Sequence, residues 1–244
     1  MVLEVSQYVV FAGWADAPHL TEQAKAEILS SYPPHQHDAI MRGWPVLGSG
    51  VIYQPAESEI RVDDFPVPED APRAFGMDVG WKWTANAWFF RHPQSGVYYL
   101  YECYKQGRQE PSEHAEAIRS RGAWIPGVID PAAAGRSQKD GIQLLKIYRD
   151  IGIPLSMAKN AVDAGIVKVW QLLVSGQLKV FKSCEAWFEE YRSYHRDANG
   201  NVVKKNDHLL DATRYFCLSG MGLMGMPGRT PNTDRQQEEY RLPA

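Results

Sequence analysis

Phe75-Gly-Met-Asp-Val-Gly80 is the stretch whose reading decides the fold. Ala74, Phe75 and Met77 lead into Asp78 as a strand, and Thr84-Ala-Asn-Ala-Trp-Phe-Phe90 reads as a second strand after Trp81-Lys-Trp83. An aspartate at such a strand end has two readings. It caps a tight bend at Val79-Gly80, or it is a buried carboxylate with a partner or a task, since burying one alone is costly. Two later stretches favour the second reading. Ile129-Asp130-Pro131 ends another apolar run, and Asn206-Asp207-His208-Leu209-Leu210-Asp211-Ala212-Thr213-Arg214-Tyr215 opens a helix near the end of the chain. Asp207 and Asp211 then lie one helical turn apart on the same face.

Aspartates ending two neighbouring strands, joined by one or two from a helix, converge on one point. Clustered carboxylates repel unless a cation lies between them. An oxygen-only donor set selects Mg²⁺ or Mn²⁺ over zinc. Two such ions, about 3.5–4 Å apart, activate a water and stabilise the leaving oxygen of a phosphodiester. The expected catalytic residues and metal ligands are Asp78, Asp130 and Asp211, with Asp207 as the fourth ligand or a supporting partner. The competing readings are a turn at Asp130-Pro131 and a helix cap at Asp207. His208 reads as a polar helix-start residue, not a ligand. Lys82, Arg196, Lys204, Lys205 and Arg214 are expected DNA-phosphate contacts; the alternative for each is a solvated surface charge. Trp81 and Trp83 read as packing residues, not base-stacking platforms.

Composition sets the outer bounds. With 244 residues, 44% of them apolar and 23% charged, the chain can build a sizeable core. A net charge of −3 advertises no global basic field, so any nucleic-acid contact has to come from a local groove. Cys103, Cys184 and Cys217 stand far apart without CxxC spacing, as expected of reduced thiols in a cytosolic protein. No apolar run reaches the length of a membrane span, and the N-terminus has no signal-peptide pattern.

Along the chain, residues 1–14 read as a strand and Thr21 as the cap of a short helix. Residues 57–70 carry Glu57, Glu59, Asp63, Asp64, Glu69 and Asp70 against Arg61 alone, with Pro66 and Pro68. They read as a linker or solvated arm, which places a boundary near residue 71. From residue 73 the order is three strands, helix, strand, helix, strand, helices. This is an α/β arrangement: a ribonuclease H-like mixed five-stranded sheet flanked by helices. Asn199-Gly200 marks a β-hairpin inserted over 194–205. Residues 220–244 are expected to be a disordered tail. The domains are thus 1–71, 72–219 and 220–244.

Gly76-Met-Asp-Val-Gly-Trp81, Val128-Ile-Asp-Pro-Ala132 and Asn206 to Tyr215 resemble the C-terminal nuclease domain of tailed-phage terminase large subunits. The resemblance extends through the hairpin and to Gly13-Trp-Ala-Asp-Ala-Pro-His19, and it covers nearly the whole chain apart from the tail. It implies a metal-dependent nuclease that cuts double-stranded viral DNA concatemers during genome packaging in the host cell cytoplasm. Portal protein and the small terminase subunit are the implied partners of the full-length protein. The chain departs from the family in one respect: no G-x-x-x-x-G-K-[ST] phosphate loop occurs in it. No ATPase activity is expected from this chain alone, and residues 1–71 are expected to be the end of an ATPase domain and its linker. Met1 suggests a truncated product or a separate reading frame.

Three other functions share some of these features. An actin-like or sugar-kinase phosphotransferase also begins with an aspartate–glycine strand, but needs a second comparable lobe. A non-catalytic module docking on portal protein or DNA would not need the Asp207/Asp211 pair. A junction resolvase or integrase shares the fold and chemistry and differs in substrate shape.

Overall fold

The computed structural model describes residues 12–31, 37–41, 43, 50–131 and 140–228. In chain order they form α1 (Glu22–Ser30), α2 (His37–Met41), β1 (Gly50–Val51), α3 (Glu57–Ile60), β2 (Arg61–Val62), β3 (Arg73–Asp78), β4 (Thr84–Arg91) and β5 (Tyr98–Gln106). They continue as α4 (Pro111–Arg119), β6 (Gly127–Ile129), α5 (Asp140–Asp150), β7 (Leu155–Met157), α6 (Val162–Val174), β8 (Leu178–Phe181), α7 (Glu185–Ser193), β9 (His195–Arg196) and α8 (His208–Leu218). None of the described helices is long and apolar enough to cross a membrane. The chain divides into two compact units: Met1–Gln54 with Arg192–Asn206, and Pro55–Tyr191 with Asp207–Ala244.

In the smaller unit, the Thr21 hydroxyl accepts a hydrogen bond from the Ala24 amide at 3.2 Å and caps α1, as the sequence predicts. β1 pairs antiparallel with β9, Gly50 opposite Arg196 and Val51 opposite His195. The predicted Asn199-Gly200 turn is present, with Gly200 at φ +82°. One Asp197 carboxylate oxygen accepts from the amides of Asn199 and Asn201, each at 2.9 Å, so the turn is organised from its first strand. A single bridge between Arg196 and Val202 continues the pairing. The N-terminal strand expected over residues 1–14 falls mostly outside the described residues, and Trp14–Asp16 form a short 3₁₀ turn instead.

The larger unit holds a mixed sheet of seven strands, not five, in the order β2-β8-β5-β4-β3-β6-β7. β3, β4 and β5 are antiparallel neighbours; β6, β7, β8 and β2 join by parallel pairing. The extra edge comes from Arg61-Val62 and Leu178–Phe181. The first of these lies in the acidic stretch expected to be a linker. Its charges are tied down: Arg61 bonds Glu57 and Glu185, each at 3.0 Å, and Asp63 pairs with Lys182 at 2.7 Å. Apolar residues between the acids do the anchoring. Ile60 is fully buried, and the Phe65 ring packs on Phe90, Tyr99 and Phe181. Removing these two large apolar side chains from water outweighs the solvation preference of a charged surface strip, which moves the segment from 57 onward into the sheet unit.

One face of the sheet buries Phe75, Met77, Trp88 and Ile129 with Ala115 and Ile118 of α4 and Tyr148 of α5. α8 covers the other face along β3 and β4, where Phe216 stacks on Phe89 at 3.8 Å between centroids. The beginning of the expected tail is ordered: Gly220–Leu223 form a 3₁₀ turn, and Gly225 exchanges two backbone hydrogen bonds of 2.9 Å with Arg73. Residues 229–244 lie outside the described residues.

Candidate metal centre

Asp78 is the last residue of β3, and Asp130 directly follows β6. These strands are parallel neighbours with Met77 opposite Ile129, and the Asp130 amide donates to the Met77 carbonyl at 3.0 Å. Sheet register therefore sets the two carboxylates side by side. Asp211 comes from the first turn of α8 and Asp207 is the residue at its N-cap. α8 can bring them in because β3 carries Gly76, against which the backbone of Ala212 rests. Asp130 and Asp211 are each 8% exposed, Asp207 4%, and the Asp78 side chain 14%.

Asp78, Asp130 and Asp211 so placed are electrostatically expensive. Burial pushes the Asp78 carboxyl up to about 6; a hydrogen bond from His208 works against this, and the charges of Asp211 and Asp130 add to it. Asp78, Asp130 and Asp211 are therefore within one another's field. Among the described residues no three His, Cys, Asp or Glu side chains close into a chelating group. The donor chemistry is carboxylate without thiolate, which fits a hard, oxygen-seeking ion such as Mg²⁺ or Mn²⁺. A cation there would also relieve the mutual repulsion.

The surrounding residues have roles that the sequence does not display. His208 Nδ1 lies 2.8 Å from Asp78 Oδ2, and this bond raises the imidazole above its ordinary value. His208 is thus a partner of the site, not simply a polar helix start; its place three residues before Asp211 on one helical face is the signal that could have found it. Arg214 corrects an expectation. It is 1% exposed, its Nη2 lies 3.1 Å from Asp211 Oδ1, and its Nη1 donates to Asn160 Oδ1 at 3.2 Å. Gly165 of α6 leaves room for its stem, since a Cβ there would fall 2.3 Å from Arg214 Cγ. A guanidinium so enclosed is the counter-charge of Asp211, not a surface contact for DNA phosphate.

The cap reading of Asp207 is answered as well. Its side chain makes no cap hydrogen bond. Glu190 of α7 does so instead: one carboxylate oxygen accepts from the amides of Leu209 at 2.7 Å and Leu210 at 3.2 Å, and the other accepts from Lys105 Nζ at 2.6 Å. The buried Glu190 thereby satisfies the helix start. Of the remaining basic residues, Lys82 is exposed beside β3, while Lys204 and Lys205 are exposed in the smaller unit. Arg196 braces its own turn, with Nη1 donating to the Gly200 carbonyl at 2.8 Å.

Comparison with known proteins agrees with this fold. The chain is 34% identical over 248 residues to the large terminase subunit of Salmonella phage P22, covering 98% of this chain and 48% of that protein. It is 36% identical over 219 residues to the large terminase subunit of Enterobacteria phage LP7, covering 86% of this chain and 46% of that protein. It thus spans about half the length of the curated relatives it matches. The solved P22 large terminase nuclease domain superimposes with a TM-score of 0.66 at 32% identity, covering 71% of this chain and 94% of that one. The family model for the terminase RNaseH-like domain matches residues 76–219, a span that runs from within β3 past α8 and includes Asp78, Asp130, Asp207 and Asp211. By that match, and by the fold it shares with the P22 nuclease domain, the chain belongs to the terminase RNaseH-like domain family.

Proposed function

We propose that this chain is a divalent-metal-dependent endonuclease that cuts double-stranded DNA, and that its biological substrate is the viral DNA concatemer produced for genome packaging. The observation that carries the reading is the convergence of Asp78, Asp130 and Asp211 from two adjacent strand ends and one helix, close enough for the charges of the latter two to raise the first. Asp78, Asp130 and Asp211 would hold Mg²⁺ or Mn²⁺, with Asp207 as a fourth ligand or supporting partner, and two ions would serve the reaction. When bound, such ions supply an activated water and charge stabilisation at the leaving oxygen. His208 fixes the orientation of Asp78, and Arg214 that of Asp211. Lys82, Lys204 and Lys205 are exposed cations suited to phosphate. The large terminase nuclease of thermophilic phage G20c, which shares the fold at 14% identity, was crystallised with magnesium.

Several assignments follow from the same reading. The substrate is cut with little sequence preference, because the acids stand without a base-reading element. The residues before about 55 carry the end of an ATPase domain, while 55–71 belong to the sheet unit, and with no phosphate loop in the chain ATP is not hydrolysed by it. Portal protein and the small terminase subunit are partners of the longer protein, which works in the host cell cytoplasm. The test is digestion of supercoiled plasmid with Mg²⁺, Mn²⁺, Ca²⁺ or chelator. Nicking and linearisation with Mg²⁺ or Mn²⁺, abolished by chelator, are expected. Metal-independent cutting, or none under any metal, counts against the proposal, and a strict recognition site counts against the lack of preference.

A further inference from the structure

The turn between β3 and β4 holds a tryptophan where packing gives it no reason to be. Trp81 is 68% exposed, three residues beyond Asp78, and Trp83 is partly exposed at 37%. Sequence patterning assigns such residues to packing; the structure leaves the larger part of the Trp81 indole in water. The turn itself is tied down. The Trp81 carbonyl accepts from the Arg108 amide at 2.9 Å, and the Gly80 carbonyl accepts from the Thr84 hydroxyl at 3.2 Å. The Lys82 carbonyl lies so close to Gly107 that a Cβ there would come within 1.9 Å of it. Lys105 Nζ sits 5.4 Å from the centre of the Trp83 ring while bonded to Glu190. The backbone is thus held at several points, and the Trp81 ring projects from a fixed base.

Two exposed cations stand beside it: Lys82 on the turn and Arg108, whose amide bonds the Trp81 carbonyl. Among the described residues neither forms an ion pair. In a chain of net charge −3, this places an aromatic face and Lys82 on the turn leading out of the carboxylate centre, with Arg108 on the loop after β5 that bonds that turn. A polyanion with flat apolar faces matches both features. We infer that Trp81 stacks on an unpaired base of the DNA strand next to the carboxylate centre, with Lys82 and Arg108 holding the flanking phosphates. The inference rests on the nuclease reading in naming DNA as the occupant. It adds that the strand at the site presents at least one unstacked base, since a base inside an intact duplex offers no free face.

Binding in chelator separates this from cleavage. Fluorescence anisotropy with fluorescein-labelled oligo-dT and with a blunt duplex of equal length is measured for the parent, Trp81→Ala, Trp81→Phe and the Lys82→Ala/Arg108→Ala pair. Trp81→Ala is expected to weaken oligo-dT binding about tenfold, the scale of one lost base–aromatic stack. Trp81→Phe should recover most of this, and duplex binding should change much less. The Lys82→Ala/Arg108→Ala variant should lose affinity for both and show a shallower salt dependence. Oligo-dT affinity unchanged in Trp81→Ala, or an equal loss for oligo-dT and duplex, overturns the stacking role. If the parent fails to cut plasmid while the Trp81 effect persists, the nuclease proposal falls and this one stands. If the parent cuts plasmid and Trp81→Ala binds oligo-dT like the parent, the reverse holds.

Discussion

A Cβ placed on Gly76 would lie 1.9 Å from the carbonyl oxygen of Ala212. The centre of a sheet strand and the backbone of α8 are therefore in direct contact, and this contact fixes how far Asp211 stands from Asp78. Gly76→Ala is expected to push α8 outward and to cost roughly 1–3 kcal/mol, as overpacked cores do. The checks are urea denaturation and the thermal shift on adding Mg²⁺. Both the stability and the metal-induced shift should fall; an unchanged metal shift would show that the helix position does not set the site.

The carboxylates give the most direct comparison. Asp78→Asn, Asp130→Asn and Asp211→Asn are each expected to abolish plasmid cleavage with the fold retained, and Asp207→Asn to have the mildest effect. Mg²⁺ or Mn²⁺ should raise the melting temperature of the parent more than that of these variants, because only binding to the folded state adds stability. Loss of activity in Asp207→Asn with full activity in Asp211→Asn would move the helix ligand one turn earlier.

Asp78 also predicts a pH dependence in chelator. Its ordinary value of 3.8 is raised to about 6 in the fold, chiefly by burial. Between those values the folded protein holds a proton that the unfolded chain has released, so stability falls as pH rises through the window and stays lower above it. Asp78→Asn removes this penalty. It should be more stable than the parent at pH 8 by roughly 1–2 kcal/mol, with the loss of the His208 bond offsetting part of the gain, and the advantage should disappear near pH 4. Paired urea titrations at the two pH values measure it. A constant difference across that range would show that Asp78 does not titrate in the window.

Glu190 carries a prediction about stability. Glu190→Ala leaves the amides of Leu209 and Leu210 without their acceptor and Lys105 without its carboxylate. The expected cost is about 3 kcal/mol. Glu190→Gln keeps an acceptor while losing the charge, so roughly half that loss is expected. Equal stability of the alanine variant and the parent in chemical denaturation would dismiss the cap.

The hairpin basic residues divide by structure. Lys204→Ala/Lys205→Ala should weaken DNA binding and reduce its salt dependence while leaving the melting temperature nearly unchanged, since exposed charges contribute little to stability. Adding Arg196→Ala should also loosen the turn, because that side chain bonds the Gly200 carbonyl. Limited proteolysis across 194–205 distinguishes the two variants.

What the sequence determined by itself is short-range. Apolar runs locate β3 and β4, the glycine at 200 marks its turn, Thr21 marks a helix start, and Asp78, Asp130 and Asp211 stand at strand ends or on a helix face where local patterning makes them conspicuous. Each of these signals spans a few residues, so it survives without knowledge of the partner. The tertiary structure decided the rest. Arg214 reads as an available cation until Gly165, on another helix, opens the space that encloses it against Asp211. Asp207 reads as the cap of α8 until Glu190, nineteen residues before Leu209, takes the role. The acidic segment at 57–64 reads as a linker until Ile60 and Phe65 find the sheet, and Trp81 reads as core until the turn that carries it is pinned facing water. In every case the deciding contact joins residues far apart in the chain, and burial, not local propensity, sets whether a charge is paired or an aromatic ring is covered.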